Sequence, residues 1–178
     1  METVYDPTTR ALHWLNAILA ALAIALAYGI SGTARHSGAR EWLLMLHGSV
    51  GISILATTLF WGGWRLRHRA PPVSPLLTRA EILLAHATQG SLFLLFIAMP
   101  ISGYTSLAAS GRAVSFFGAF AIPPLVPQSG WLAQTAIAVH LTGEFLIYGL
   151  LALHIGAALL HGFIRRDGVF ERMLPRRF

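Results

Sequence analysis

The sequence predicts an all-α integral membrane protein, a bundle of four helices. Three observations carry that expectation. Of 178 residues, 55% are hydrophobic and only 11% are charged, under half the charged share of an ordinary soluble domain. Four apolar stretches are each long enough to supply the roughly 20 helical residues that cross a bilayer. The arginines gather at the ends of those stretches, as flanking anchors do. A net charge of +6 would otherwise point to nucleic acid, but basic residues placed this way serve a membrane, and no nucleic-acid partner is expected. The chain has no cysteine, which excludes disulfides, thiolate-held metals and iron–sulfur clusters.

The first span is expected over about residues 11–30. A cleaved signal peptide is the rival reading, but the leader Met1–Arg10 carries Glu2 and Asp6 with one arginine, against the positive leader such a peptide needs. The second span covers about 42–63. The third covers about 82–103, with Pro100 kinking its last turn. The fourth covers about 131–164; its 34 residues would extend about 51 Å, so one end projects into solvent. Between the second and third spans, Pro71–Pro75 reads as a short stiff linker. Tyr104–Gly130 reads as a longer connection whose Phe116, Phe117 and Phe120 rest on the interface. With no internal repeat, residues 1–178 read as one domain.

Arginine placement orients the bundle. Arg10, Arg65, Arg67, Arg69, Arg79, Arg165, Arg166, Arg172, Arg176 and Arg177 fall on one side of a four-span topology, and only Arg35, Arg40 and Arg112 on the other. The positive-inside rule then places both termini in the cytoplasm.

Ionisable side chains inside a span are costly and rarely idle. His140 and His154 stand fourteen residues apart in the fourth span, close to four helical turns, so both rings leave one face about 21 Å apart. His13 lies just inside the cytoplasmic end of the first span. His47 lies about 27 Å above the cytoplasmic end of the second. Two level couples result, His47 with His140 outside and His13 with His154 inside. Each can clamp one iron between neutral imidazoles, the ligation of a six-coordinate haem built for electron transfer. Gly48, Gly51, Gly143, Gly156, Ala157 and Ala158 leave room for such a group, although small residues also serve close helix packing. His86 in the third span is the rival partner for the inner iron. His36 and His68 read as solvated loop residues. His161, one heptad beyond His154, suits a hydrogen bond to a quinone carbonyl or a haem propionate. Glu144, one turn past His140, is placed to orient a ligand, carry a proton or meet a polar group on a neighbouring helix.

These residues resemble the bacterial cytochrome b561 family nearly end to end. The matches are Arg10-Ala-Leu-His13-Trp14, Met45-Leu-His47-Gly48 with Gly51-Ile52, Trp64-Arg65-Leu66-Arg67 before Pro71-Pro72, Ala85-His86, Ile97-Ala-Met-Pro100 with Gly103, His140 with His154 and His161, Asp167-Gly168, and Arg172-Met173-Leu174-Pro175. The resemblance implies two haems b, one on His13 and His154 and the other on His47 and His140. It implies a quinone site near His161, a haem propionate near Arg65, and oxidation of superoxide at the outer face with ubiquinone as acceptor. This chain departs from the family at Gln89, often histidine, and at Trp61, often arginine.

The expected activity is therefore movement of electrons across the membrane between a periplasmic donor and the quinone pool, as a superoxide:ubiquinone oxidoreductase. Arg35, Arg40 and Arg112 would draw an anionic donor toward the outer haem by their field, unless they only anchor helices to head groups. Two alternatives remain: an anchor subunit serving a separate redox partner protein such as a hydrogenase, and a haem-free metal transporter, which the scarcity of intramembrane carboxylates disfavours.

Overall fold

Helix boundaries follow from caps that hydropathy cannot see. In the computed structural model, which describes residues 4–68 and 70–174, α1 spans Pro7–Ser31. It begins four residues before the apolar run because Asp6 caps it, accepting from the Thr9 amide at 2.9 Å, with proline in the first turn where no donor is missed. Helix α2 spans Gly38–Arg67 behind the Ser37 cap, and α3 spans Arg79–Ala109 behind a capping box of Thr78 and Glu81. Pro100 lies well inside α3, which continues through it to Ala109, so the expected end at residue 103 is corrected. Helix α4 spans Gly130–Leu159 and runs into a π-helical turn, Leu160–Arg165, closed by Arg166 at φ 51°. Glu2, Arg69, Pro175, Arg176 and Arg177 lie outside the described residues.

All four helices are long and apolar enough to cross a membrane. Their outward faces agree: Ile18, Leu94, Leu141 and Phe145 are exposed, while the buried apolar core is small. A surface of that kind is stable only against an apolar solvent. In such a solvent, packing rests on small residues and polar contacts rather than on the hydrophobic effect. Asn16, 2% exposed, supplies one such contact, its Oδ1 accepting from Thr57 at 2.9 Å and Thr58 at 3.2 Å to tie α1 to α2.

The helices pack in sequence order, α1 on α2, α2 on α3 and α3 on α4, while α1 and α4 make no comparable contact. A cleft therefore separates α4 from the α1–α2 pair. At one end of the bundle the start of α1 meets the end of α2 and residues 173–174: Arg10 Nη1 donates to Leu174 O at 2.7 Å, Trp14 Nε1 to Met173 O at 2.8 Å, and Trp64 Nε1 to Asp6 at 3.1 Å. At the other end the α3–α4 connection forms a hairpin, β1 (Val114–Phe116) paired with β2 (Phe120–Ile122). Phe117 and Gly118 turn it with φ of 49° and 75°, as a primed turn requires. An aromatic residue at positive φ is strained; here the Phe117 amide donates to buried Ser49 Oγ at 2.8 Å, which seats the hairpin on α2.

Candidate functional site

Two couples of imidazoles bridge the cleft. The ring centres of His47 and His140 are 6.0 Å apart near the hairpin end, and those of His13 and His154 are 6.1 Å apart near the terminal end. A metal held by two opposed imidazoles sits about 2 Å from each nitrogen and roughly 1 Å further from each ring centre, which sets the centres on the order of 6 Å apart. Both couples have that separation. Helices α1, α2 and α4 thus supply four imidazoles at two levels, as the depth arithmetic anticipates.

The hairpin-end couple is oriented by backbone carbonyls. His47 Nδ1 lies 3.0 Å from Ala23 O, and His140 Nδ1 lies 2.9 Å from Met99 O and 3.1 Å from Ser102 Oγ. A carbonyl can only accept, so each Nδ1 carries the proton and each Nε2 is left with its lone pair, the arrangement a metal-ligating histidine needs. Gly103 makes this possible for His140: a Cβ there would sit 3.0 Å from Cε1 of the ring. The other small residues divide. Gly51 and Gly143 serve packing, against Pro100 and Met99, whereas Gly48 and Gly156 face open space.

The terminal-end couple lies among unsatisfied donors. His13 meets Trp14 and Trp61 edge-on, with centroids at 5.3 and 6.1 Å. Around it, Arg10 Nε, Trp61 Nε1 and Arg65 Nη1 are buried with no hydrogen-bond partner among the described residues. Three buried donors without an acceptor are costly, and together they fit an anionic group such as the carboxylates that a haem b carries. Arg65, singled out from the sequence, also stands over the Tyr5 ring at 5.4 Å. Arg10 and Trp61 were not assigned from the sequence. Their signal was present in the helical spacing, since Arg10 lies one turn from His13 and Trp61 one turn from Arg65.

His161 lies in the π turn, largely buried, with Nδ1 2.7 Å from Asp167 Oδ2. Asp167 also takes Arg165 Nε at 3.2 Å and the Val169 amide at 3.3 Å. Burial alone would raise the Asp167 carboxyl, but hydrogen bonds from His161 and Val169 and the Arg165 charge hold it below the usual carboxylate range. Arg165 in turn reaches Glu81 and Leu76 O on the α3 side. Sequence reasoning missed Asp167, which fixes the His161 tautomer.

Other expected groups stand elsewhere. His86 is exposed on α3, outside both couples. His68 stacks on Trp64 at 3.8 Å. Of the hairpin-end arginines, Arg40 is engaged with the carbonyls of Ile30 and Thr33, closing the end of α1, and Arg112 forms a 2.6 Å ion pair with Glu41. Arg35 is exposed. A cavity of about 110 Å³ opens between Glu41, Met45, Gly48, Arg112 and Ser115, next in sequence to His47.

Membrane-length helices with imidazole couples stacked across one cleft define a membrane b-type cytochrome. The chain belongs to the prokaryotic cytochrome b561 family, whose model matches residues 4–176. It is similar to a probable superoxide oxidase, CybB, of Yersinia pestis, at 33% identity over 99% of both chains. It is also similar to cytochrome b561 homolog 2 of Escherichia coli K12, at 32% identity over 97% of this chain and 92% of that one, and to homolog 1 of the same organism at 29% identity over 97% and 98%.

Proposed function

We propose that the protein moves electrons across the bacterial inner membrane from superoxide at the outer face to ubiquinone at the inner face. In this reading His47 and His140 hold an outer haem b, His13 and His154 an inner one, and both termini are cytoplasmic. The observation that carries it is the pair of 6 Å imidazole couples, one near each end of the cleft. When bound, each haem supplies a one-electron iron couple.

The chain's own work is holding and tuning. Ala23 O and Met99 O fix the outer imidazoles, so those rings need no reorganisation when charge arrives. Arg10, Trp61 and Arg65 neutralise and bond the inner propionates, which accounts for donors otherwise unsatisfied. At the cytoplasmic end, Asp167 holds the Nδ1 proton of His161, presenting Nε2 toward a quinone oxygen or a propionate. Exposed Arg35 and the carbonyl-bound Arg40, with Arg112 paired to Glu41, leave the outer rim net positive, which favours an anionic donor. The superoxide assignment is also supported by the similarity to the probable superoxide oxidase of Yersinia pestis.

The test is reduction of the purified oxidised protein by a superoxide flux, followed through its b-type absorption, with reoxidation by added ubiquinone. Rapid reduction that slows when Arg35→Gln is introduced and salt is raised is expected. Reduction no faster than that of a soluble b-type cytochrome under the same flux would overturn the donor assignment.

A further inference from the structure

Residues 166–174 leave the end of α4 and fold back onto it, and of these only Asp167 has a task so far. Arg166 at φ 51° and Gly168 at φ 79° make the reversal, and a 3-10 turn, Phe170–Met173, follows. The Phe170 ring lies so close to the π turn that a Cβ at Gly162 would stand 2.9 Å from its Cδ1 and 3.0 Å from its Cγ. Only glycine allows that approach. Phe163 packs beside the same ring, with centroids 6.2 Å apart.

Seated this way, the turn presents three successive carbonyls to the start of α1. So short a helical turn leaves its last carbonyls without internal partners. Here Arg172 O accepts from the Tyr5 amide at 3.3 Å, Met173 O from Trp14 Nε1 at 2.8 Å, and Leu174 O from Arg10 Nη1 at 2.7 Å. The Arg172 guanidinium donates to Pro72 O at 2.7 Å, which ties the same segment to the linker between α2 and α3.

Both α1 side chains held by these carbonyls stand beside the inner couple. Trp14 meets the His13 ring edge-on, and Arg10 lies one turn before His13. A guanidinium is a rigid planar fork, so anchoring Nη1 restricts where its other N–H groups point. Arg10 Nε is then left buried with no partner among the described residues. Leu174 supplies a neutral carbonyl and not a carboxylate, so the Arg10 charge stays available to an anion. Ordering a long side chain in advance removes an entropic cost that the bound state would otherwise bear.

Resting on the haem assignment above, we propose that residues 166–174 form a strap that positions Arg10 and Trp14 for the inner haem, with Phe170 on Gly162 as its seat. Phe170 is a positioning residue that acts through Arg10 rather than by ligation. Its contribution is preorganisation, with no bond made or broken.

The test is haem transfer from the full-length dihaem protein to a soluble apo-globin acceptor. Phe170→Ala empties the seat and Gly162→Ala obstructs it. Each is expected to weaken inner haem retention by roughly 10- to 150-fold, the worth of one hydrogen bond to a charged acceptor, and to leave outer haem retention unchanged. Gly149→Ala in α4, where nothing lies within 4 Å of the new Cβ, behaves as wild type. Once Arg10→Gln has removed the guanidinium, adding Phe170→Ala costs inner retention much less than it does alone. An undiminished further loss in the Arg10→Gln background, or equal loss of both haems in the strap variants, overturns the proposal. Should these variants fail to assemble, amide exchange decides the matter, because linkage makes positioning mutual. The Phe170–Met173 amides exchange faster in His154→Ala, which lacks the inner haem, than in His140→Ala, which lacks the outer one; equal exchange overturns the proposal. Wild-type protein with no haem at the inner couple would instead defeat the ligand assignment, and the strap's role with it.

Discussion

Replacing Gly103 by alanine is the sharpest steric probe of the outer couple. The added methyl would lie 3.0 Å from His140 Cε1 and 3.2 Å from Nδ1, against ordinary carbon contacts of about 3.5 Å or more. The ring cannot turn away cheaply, because its Nδ1 is bound to Met99 O at 2.9 Å and lies 3.1 Å from Ser102 Oγ. Either those bonds lengthen or α3 and α4 separate, and overpacking of this size costs about 1–3 kcal/mol. Borne entirely by the bound state, that range weakens outer haem retention by roughly 5- to 150-fold. The assay is haem transfer from detergent-purified protein to a soluble apo-globin acceptor. Gly90→Ala on the same helix, where nothing lies within 4 Å of the new Cβ, is the control and should behave as wild type. Equal retention in Gly103→Ala and Gly90→Ala would refute the claim that His140 is held in place for ligation.

Three further outcomes follow from the same geometry. Trp61→Phe should weaken inner haem retention by roughly 10- to 150-fold, the worth of one hydrogen bond to a charged acceptor, without lowering the melting temperature of haem-free protein, since the indole N–H has no protein partner. Asn16→Ala should destabilise the α1–α2 pair by about 1–3 kcal/mol by leaving the buried Thr58 hydroxyl without its acceptor, whereas Thr57 keeps the Ser53 and Ile54 carbonyls, read by thermal unfolding in detergent. Because the folded Asp167 carboxyl is held low, its contribution is present above the ordinary carboxylate value and lost as pH falls through the depressed one. Melting followed through acid pH should show that loss, and Asp167→Asn should remove it.

Hydropathy carried the four spans because lipid selects long apolar runs whatever their partners. It missed the helix ends because Asp6, Ser37 and Thr78 are polar caps outside those runs. It missed the hairpin because strands of three residues hold too little alternation to read. The histidine couples were legible because helical rise converts sequence position into depth. Side-chain pairing across distant sequence was not: nothing in the spacing announces that Arg112 meets Glu41 or that Arg40 closes α1. Of the three arginines expected to draw an anionic donor, Arg112 is paired with Glu41, while Arg40 keeps its charge on the Ile30 and Thr33 carbonyls and Arg35 is exposed. The orphaned donors near His13 likewise required coordinates, because an absent acceptor leaves no mark in a sequence.

The central claim, that opposed imidazoles at two levels each hold one haem b, is tested most directly by pyridine-haemochrome stoichiometry on the wild type and on His140→Ala and His154→Ala. About two haems per chain is expected for the wild type and one for each variant, with each variant retaining a low-spin spectrum from the centre it keeps. A wild-type count of one, or an unchanged count in either variant, would contradict the account.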